Sequence, residues 1–129
     1  MRIDKKRRVM VVESFSNLEK IIKFDGSVVA GIGCRFRGLV AKELIAAKGC
    51  IVRYARAEKI VLGASSVFGA LECERAILMN CCVGKLLVAK SAKIAENCRI
   101  GEVRANSLEI SGNSKVGRIF VDKLRLHRN

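Results

Sequence analysis

The sequence predicts an all-β fold: a single-stranded, triangular parallel β-helix, or β-solenoid, of about six 16-residue coils. Three observations carry that prediction. Small or apolar residues recur every sixteenth position without a gap, they come in pairs two residues apart, and no proline interrupts the 129 residues. Proline removes a ladder hydrogen bond, so its absence suits a chain that is strand nearly throughout.

The period is seen by writing residues 28 to 123 in rows of 16. One column reads Val28, Leu44, Ile60, Ala76, Ala92, Leu108 and continues into Leu124. Two places on, Ala30, Ala46, Leu62, Leu78, Ile94 and Ile110 continue into Leu126. The next pair of columns is Cys34, Cys50, Ser66, Cys82, Cys98, Ser114 and Phe36, Val52, Phe68, Gly84, Ile100, Val116. The last pair is Leu39, Ala55, Leu71, Leu87, Val103, Ile119 and Ala41, Ala57, Cys73, Ala89, Ala105, Val121. Charged residues make up 29% of the chain, yet none falls in these six columns. Residues two apart share one face of a strand, so each coil reads as three short strands that each point two side chains inward. Stacked coils then pair as parallel strands roughly 4.8 Å apart. The column Gly33, Gly49, Ser65, Cys81, Asn97, Asn113 supplies turn-forming residues at one corner. Helical repeats need apolar stripes at spacings of three and four over ten or more residues, and coils this short have no room for them.

Residues 1–26 do not keep this register and are expected to form a basic N-terminal lead-in or cap. Val9 to Val12 and Ile21 to Phe24 are candidate strands within it. The β-helix is expected over 27–126, followed by a tail at 127–129.

Only 5% of residues are aromatic and there is no Trp, so the core is built from Val, Ile, Leu, Ala and Cys in thin layers. Net charge is +13, from 25 basic and 12 acidic residues. That balance predicts attraction to polyanions, either an anionic membrane surface or nucleic acid. Arg2, Lys5, Lys6, Arg7 and Arg8 are the candidate anion-binding residues of the N-terminal segment. In the coils the basic residues are Arg35, Arg37, Arg53 and Arg56 early, and Arg99, Arg104, Lys115, Arg118, Lys123, Arg125 and Arg128 late. Outward aromatics are few, Tyr54 and Phe120, which makes nucleic acid the less favoured partner. The apolar run Val9 to Val12 is far shorter than a signal or membrane-spanning segment, and a cytoplasmic protein, at most membrane-associated, is expected. Six cysteines without a secretion signal read as reduced thiols, four of them filling one small-residue slot.

No catalytic constellation emerges. Short-coiled triangular β-helices that are acyltransferases or hydratases show coils in multiples of six residues and use His as base or ligand. Here the period is 16 and the only histidine is His127. Glu58, Glu72 and Glu74, with Lys59 and Arg75, fall in outward columns and read as a solvated, salt-bridged face. No enzyme activity, cofactor, metal or small-molecule substrate is expected.

A solenoid exposes strand edges and a slice of core at each end, which repeat proteins ordinarily cover. Here the periodicity runs through Leu124 and Leu126 with no polar cap, so the ends are the candidate functional sites. The coil pattern, its number of coils, its small-residue turns and its basic lead-in resemble the bactofilins, polymer-forming cytoskeletal proteins of bacteria and some archaea. Stretches such as SVFGALEC (Ser66 to Cys73) and RIGEVRAN (Arg99 to Asn106) carry the resemblance over residues 27–126. It implies a right-handed β-helix that assembles end to end, without nucleotide, into nonpolar filaments, often at a membrane. The expected partner is therefore another copy of the chain. Leu108, Ile110, Val116, Ile119, Val121, Leu124 and Leu126 are the expected C-terminal interface, and Val28, Ala30 and Phe36 the N-terminal one. The alternative is a non-polymerising adaptor that binds an anionic partner through its basic faces.

Overall fold

The computed structural model describes residues 1–127 and is strand from end to end, with no helix among the described residues. Of the expected tail, Arg128 and Asn129 lie outside the described residues. The strands in order are β1 (Arg2–Asp4), β2 (Val9–Val12), β3 (Asn17–Lys23), β4 (Ser27–Ala30), β5 (Arg35–Val40), β6 (Glu43–Ala46), β7 (Ile51–Arg56) and β8 (Lys59–Leu62). They continue as β9 (Val67–Glu72), β10 (Arg75–Leu78), β11 (Val83–Ile94), β12 (Arg99–Ser111) and β13 (Lys115–His127).

Neighbouring coils pair in parallel and in the register that the columns require. Leu44 lies beside Ile60, Ile60 beside Ala76, and Ala76 beside Ala92. Ala92 in turn lies beside Leu108, and Leu108 beside Leu124. The fold is a β-solenoid, as the sequence predicts, with about seven turns. The long strands β11, β12 and β13 each wrap round the corners of the rod, whereas earlier coils break into two shorter strands.

Five of the six inward columns lie buried through the middle of the rod. Leu44, Ile60, Leu62, Val52, Ala55, Leu87 and Val103 are fully inaccessible. At roughly 1.5–3 kcal/mol for each fully buried aliphatic side chain, this stack is the main stabilising term. Its layers are matched in size. The ring of Phe68 fills the space beneath Gly84, where an added Cβ would sit 2.0 Å from the ring. In this column the Phe68 ring therefore requires a small residue in the next coil.

One corner turns on a left-handed residue in every coil. Gly33, Gly49, Ser65, Cys81, Asn97 and Asn113 have φ between 58° and 70°. Glycine adopts this conformation freely, and a non-glycine residue costs roughly 1–2 kcal/mol there, less for Asn.

The additional turn is N-terminal. Residues 9–26, expected outside the rod, form a coil of their own: β2 pairs with β4 and β3 with β5. Its register is offset by two residues, with Met10 beside Val28 and Leu18 beside Phe36, and a bulge between Leu18 and Ile21 shortens the offset to one. Phe15, at φ 63°, takes the corner position that Gly33 holds in the next coil. At the other end β13 runs through His127, which pairs with Ser111, so the solenoid extends past the expected boundary at 126.

Gly84→Ala should lower stability by about 1–3 kcal/mol, because overpacking the Phe68 ring outweighs the gain of up to about 1 kcal/mol from replacing glycine. Adding Phe68→Leu, which trims the ring without emptying the layer, should recover part of the loss in urea unfolding. A Gly84→Ala protein as stable as the parent would contradict this packing.

Candidate functional site

The C-terminal end is an open strand edge. β13 pairs with β12 alone, and among the described residues nothing lies along its other edge. Of its inward side chains, Leu124 is 45% exposed, Leu126 66% and Ile119 39%. Val116 and Val121 are half-buried. Leu108 and Ile110 do not belong to this face. They lie one storey inside, buried beneath Leu124 and Leu126, because the last coil repeats the column once more.

Charge surrounds the exposed leucines. Lys115, Arg118, Lys123 and Arg125 lie on β13 with Asp122 as its only carboxylate. Arg125 and His127 both reach back to Glu109 in the coil beneath, at 3.9 and 3.7 Å. Arg104 lies over the outward ring of Phe120, 5.3 Å from its centre. These cross-coil contacts hold β13 to β12 and, among the described residues, leave its apolar edge uncovered.

The N-terminal end differs. Val28, Ala30 and Phe36, expected to form its face, are fully or almost fully buried, since Met10, Val12 and Leu18 of the offset coil lie over them. Met10 and Val12 are themselves only 5% and 1% exposed. β1 folds back antiparallel along the outer edge of β2, with Ile3 opposite Met10, and so pairs the edge that would otherwise be open. Beside it, β3 pairs with β5 only, and Leu18, Ile22 and Phe24 pack against the core from partly exposed positions.

The N-terminal basic residues form the turn of this hairpin. Asp4 Oδ1 accepts hydrogen bonds from the backbone N–H groups of Lys6 (3.0 Å) and Arg7 (3.1 Å). Arg8, at φ 53°, closes the turn, and its carbonyl accepts the Ser27 N–H at 2.9 Å. Its guanidinium pairs with Asp25 at 3.4 Å, which Lys42 also contacts at 3.5 Å. Arg2 lies in β1, and Lys5, Lys6 and Arg7 remain exposed on the turn.

The cysteine column is more than a slot for small side chains. Its thiols donate to carbonyls of the coil beneath: Cys34 to Glu13, Cys50 to Gly31, Cys82 to Gly63 and Cys98 to Met79, at 3.1 to 3.3 Å. Ser114 makes the equivalent bond to the Ala95 carbonyl. Ser66 and Ser114 also accept the N–H groups of Cys50 and Cys98. Cysteine and serine share this column because each supplies a short polar side chain that bonds the backbone at the same corner. All six cysteines are free, and no group of three or more metal-ligating residues forms among the described residues.

Burial and pairing set the chemistry of these thiols. Burial pushes Cys73 up to about 12. The proximity of the Cys98 side chain pushes the Cys82 thiol up, with burial acting the same way, while the proximity of Cys82 lowers Cys98 against its burial. Cys98 Sγ also faces the carbonyl oxygens of Met79 and Glu96, acceptors that favour the protonated thiol. Both side chains are wholly inaccessible, so neither meets a reagent in solution. The acidic corner near Cys73 is salt-bridged: Glu72 pairs with Arg56 at 3.9 Å and Glu74 with Lys90 at 3.4 Å. Glu58 lines the same open groove.

Iodoacetamide at neutral pH should alkylate exposed Cys81 first and Cys73 far more slowly, since a thiol near 12 is almost entirely protonated. Cys34, Cys50, Cys82 and Cys98 should react only on unfolding, as mass spectrometry of the labelled peptides will show. Rapid labelling of Cys98 in the folded protein would contradict its enclosure.

No protein-family model, no curated protein and no solved structure matches this chain.

Proposed function

We propose that the protein is a structural, self-associating β-solenoid of the bactofilin kind, whose copies meet through their C-terminal ends. The observation that carries this reading is the exposure of Leu124 and Leu126 along the unpaired edge of β13. An open parallel edge with an apolar slice of core is a template for a second chain. Two identical ends that meet form an isologous, closed contact. Burying Ile119, Leu124 and Leu126 on both partners removes apolar surface from water at roughly 25 cal/mol per Å².

Growth into a filament needs a second contact, between N-terminal ends. The pairing of β1 along β2 and the low exposure of Met10 and Val12 oppose that contact. The assembly favoured while the hairpin stays in place is therefore a C-terminal dimer. Longer species require the hairpin to leave the edge of β2. Association also opposes charge, because Lys115, Arg118, Lys123 and Arg125 of both copies approach one another.

Three outcomes follow. Leu124→Asp/Leu126→Asp should sediment as a folded monomer in analytical ultracentrifugation, and a double variant that still sediments like the parent overturns the C-terminal contact. Raising salt to about 1 M, where screening reduces the reach of charge to about 3 Å, should strengthen association rather than dissolve it. Removing residues 1–8 should yield longer rods in negative-stain micrographs; dimers alone would show that the hairpin is not what limits growth.

A further inference from the structure

We propose that one flat side of the rod, bearing Arg35, Arg37, Arg53, Lys85, Arg99 and Lys115, is a docking surface for an anionic lipid bilayer. This side is independent of the rod ends. It is built from the first residues of β5, β7, β9, β11, β12 and β13, where side chains flanking the buried Phe36 column point outward. One outward column runs Arg35, Ile51, Val67, Val83, Arg99, Lys115. The other holds Arg37, Arg53, Gly69, Lys85, Gly101 and Gly117.

Neither column contains a carboxylate. Glu19, which lines a shallow groove with Arg35, Arg37 and Arg53, is the acidic residue at the N-terminal margin. Among the described residues none of the six basic side chains takes part in an ion pair. The other two sides both carry carboxylates. One carries Glu72 and Glu102 paired with Arg56 and Arg104, and the other carries Glu43 and Glu109 among its basic residues. Of the three sides, this one alone has no carboxylate in its outward columns; the side with Lys59, Arg75, Lys93, Lys123 and Arg125 is offset in part by Glu43 and Glu109.

The middle of that side is aliphatic. Ile51, Val67 and Val83 stack on successive coils, with Val67 43% and Val83 45% exposed, and basic residues stand at both ends of the stripe. Gly69, Gly101 and Gly117 keep the second column low, so a flat partner meets the aliphatic stripe and the long basic stems together. Cations on flexible stems flanking a shallow apolar strip suit the boundary between headgroups and acyl chains, where Lys and Arg reach the phosphates and aliphatic groups sink just below them. Single-stranded nucleic acid would need aromatic platforms for its bases. Neither column has one, because Tyr54 and Phe120 lie on another side. A phosphate backbone alone would leave the Ile51–Val67–Val83 stripe uncovered.

The test is co-sedimentation of the full chain with phosphatidylcholine vesicles, with and without phosphatidylserine. Binding should require phosphatidylserine and weaken as salt rises. Arg35→Ser/Arg53→Ser/Lys85→Ser should bind about 100-fold more weakly, at about fivefold per basic side chain. Lys59→Ser/Arg75→Ser/Lys93→Ser removes the same charge from another side and should lose no more than about tenfold. Val67→Ser/Val83→Ser should weaken binding while leaving its salt dependence unchanged. All substituted side chains face solvent, and circular dichroism melting establishes that each variant is folded. Equal losses in the two charge variants would assign binding to net charge and overturn the proposal. So would wild-type binding by the Arg35/Arg53/Lys85 variant, or a parent protein that captures a single-stranded oligonucleotide but no vesicle.

Discussion

The in-register stacking of one coil on the next is the constraint from which the other features of this molecule derive. Each strand hydrogen-bonds only to the coils above and below it, so a side chain is packed chiefly by the residue sixteen before and sixteen after. That geometry forces columns rather than a mixed core. It also makes size compensation local, as between Phe68 and Gly84. Every coil must turn its corner at the same height, which places a left-handed residue at each of Gly33, Gly49, Ser65, Cys81, Asn97 and Asn113. The adjoining column then closes the corners through thiols and hydroxyls bonded to the backbone of neighbouring coils. These are many small terms repeated along one axis, and the fold is stable by repetition rather than by one large core.

The same constraint creates the two ends and makes them unequal. A stack has a first and a last storey whatever its sequence, and each presents backbone groups that have no partner within the rod. Toward its N-terminus the chain manages this with an offset coil and a hairpin whose turn is fixed by Asp4 and Arg8. At β13 the compensation is electrostatic instead: basic side chains surround an apolar edge. Charge on an edge strand restrains indiscriminate pairing without forbidding a specific one. The outcome is a rod with one end covered in part, one open end and one strongly positive side.

Most of the fold was legible in the sequence because the six columns from Val28 to Val121 carry no gap and no charge. A period of 16 cannot, however, detect a coil of different length. Met10 and Val12 sit 18 residues before Val28 and Ala30, and the bulge after Leu18 changes the offset again within one strand. Val28, Ala30 and Phe36 were therefore assigned to an end that they do not occupy. The similarity of VMVV at Val9 to SVVA at Ser27 is the signal that could have revealed the extra storey, but Phe15 hid it by taking a corner that favours glycine or asparagine. Leu108 and Ile110 lie inside the rod for the opposite reason: the column continues into Leu124 and Leu126, which cover them. The positive side was invisible in a net charge, since it emerges only when outward residues are sorted by the side they share. The cysteine column could be read for size, but its hydrogen bonds depend on where the corner carbonyls lie.

Assembly through the open end is the claim that most needs a direct measurement. Amide hydrogen exchange, followed by mass spectrometry across a range of protein concentrations, reports on the backbone edge itself. Protection of Lys115–His127 should rise with concentration while that of the interior strands β6 to β10 stays constant. Exchange in β13 that is the same at every concentration would contradict the account.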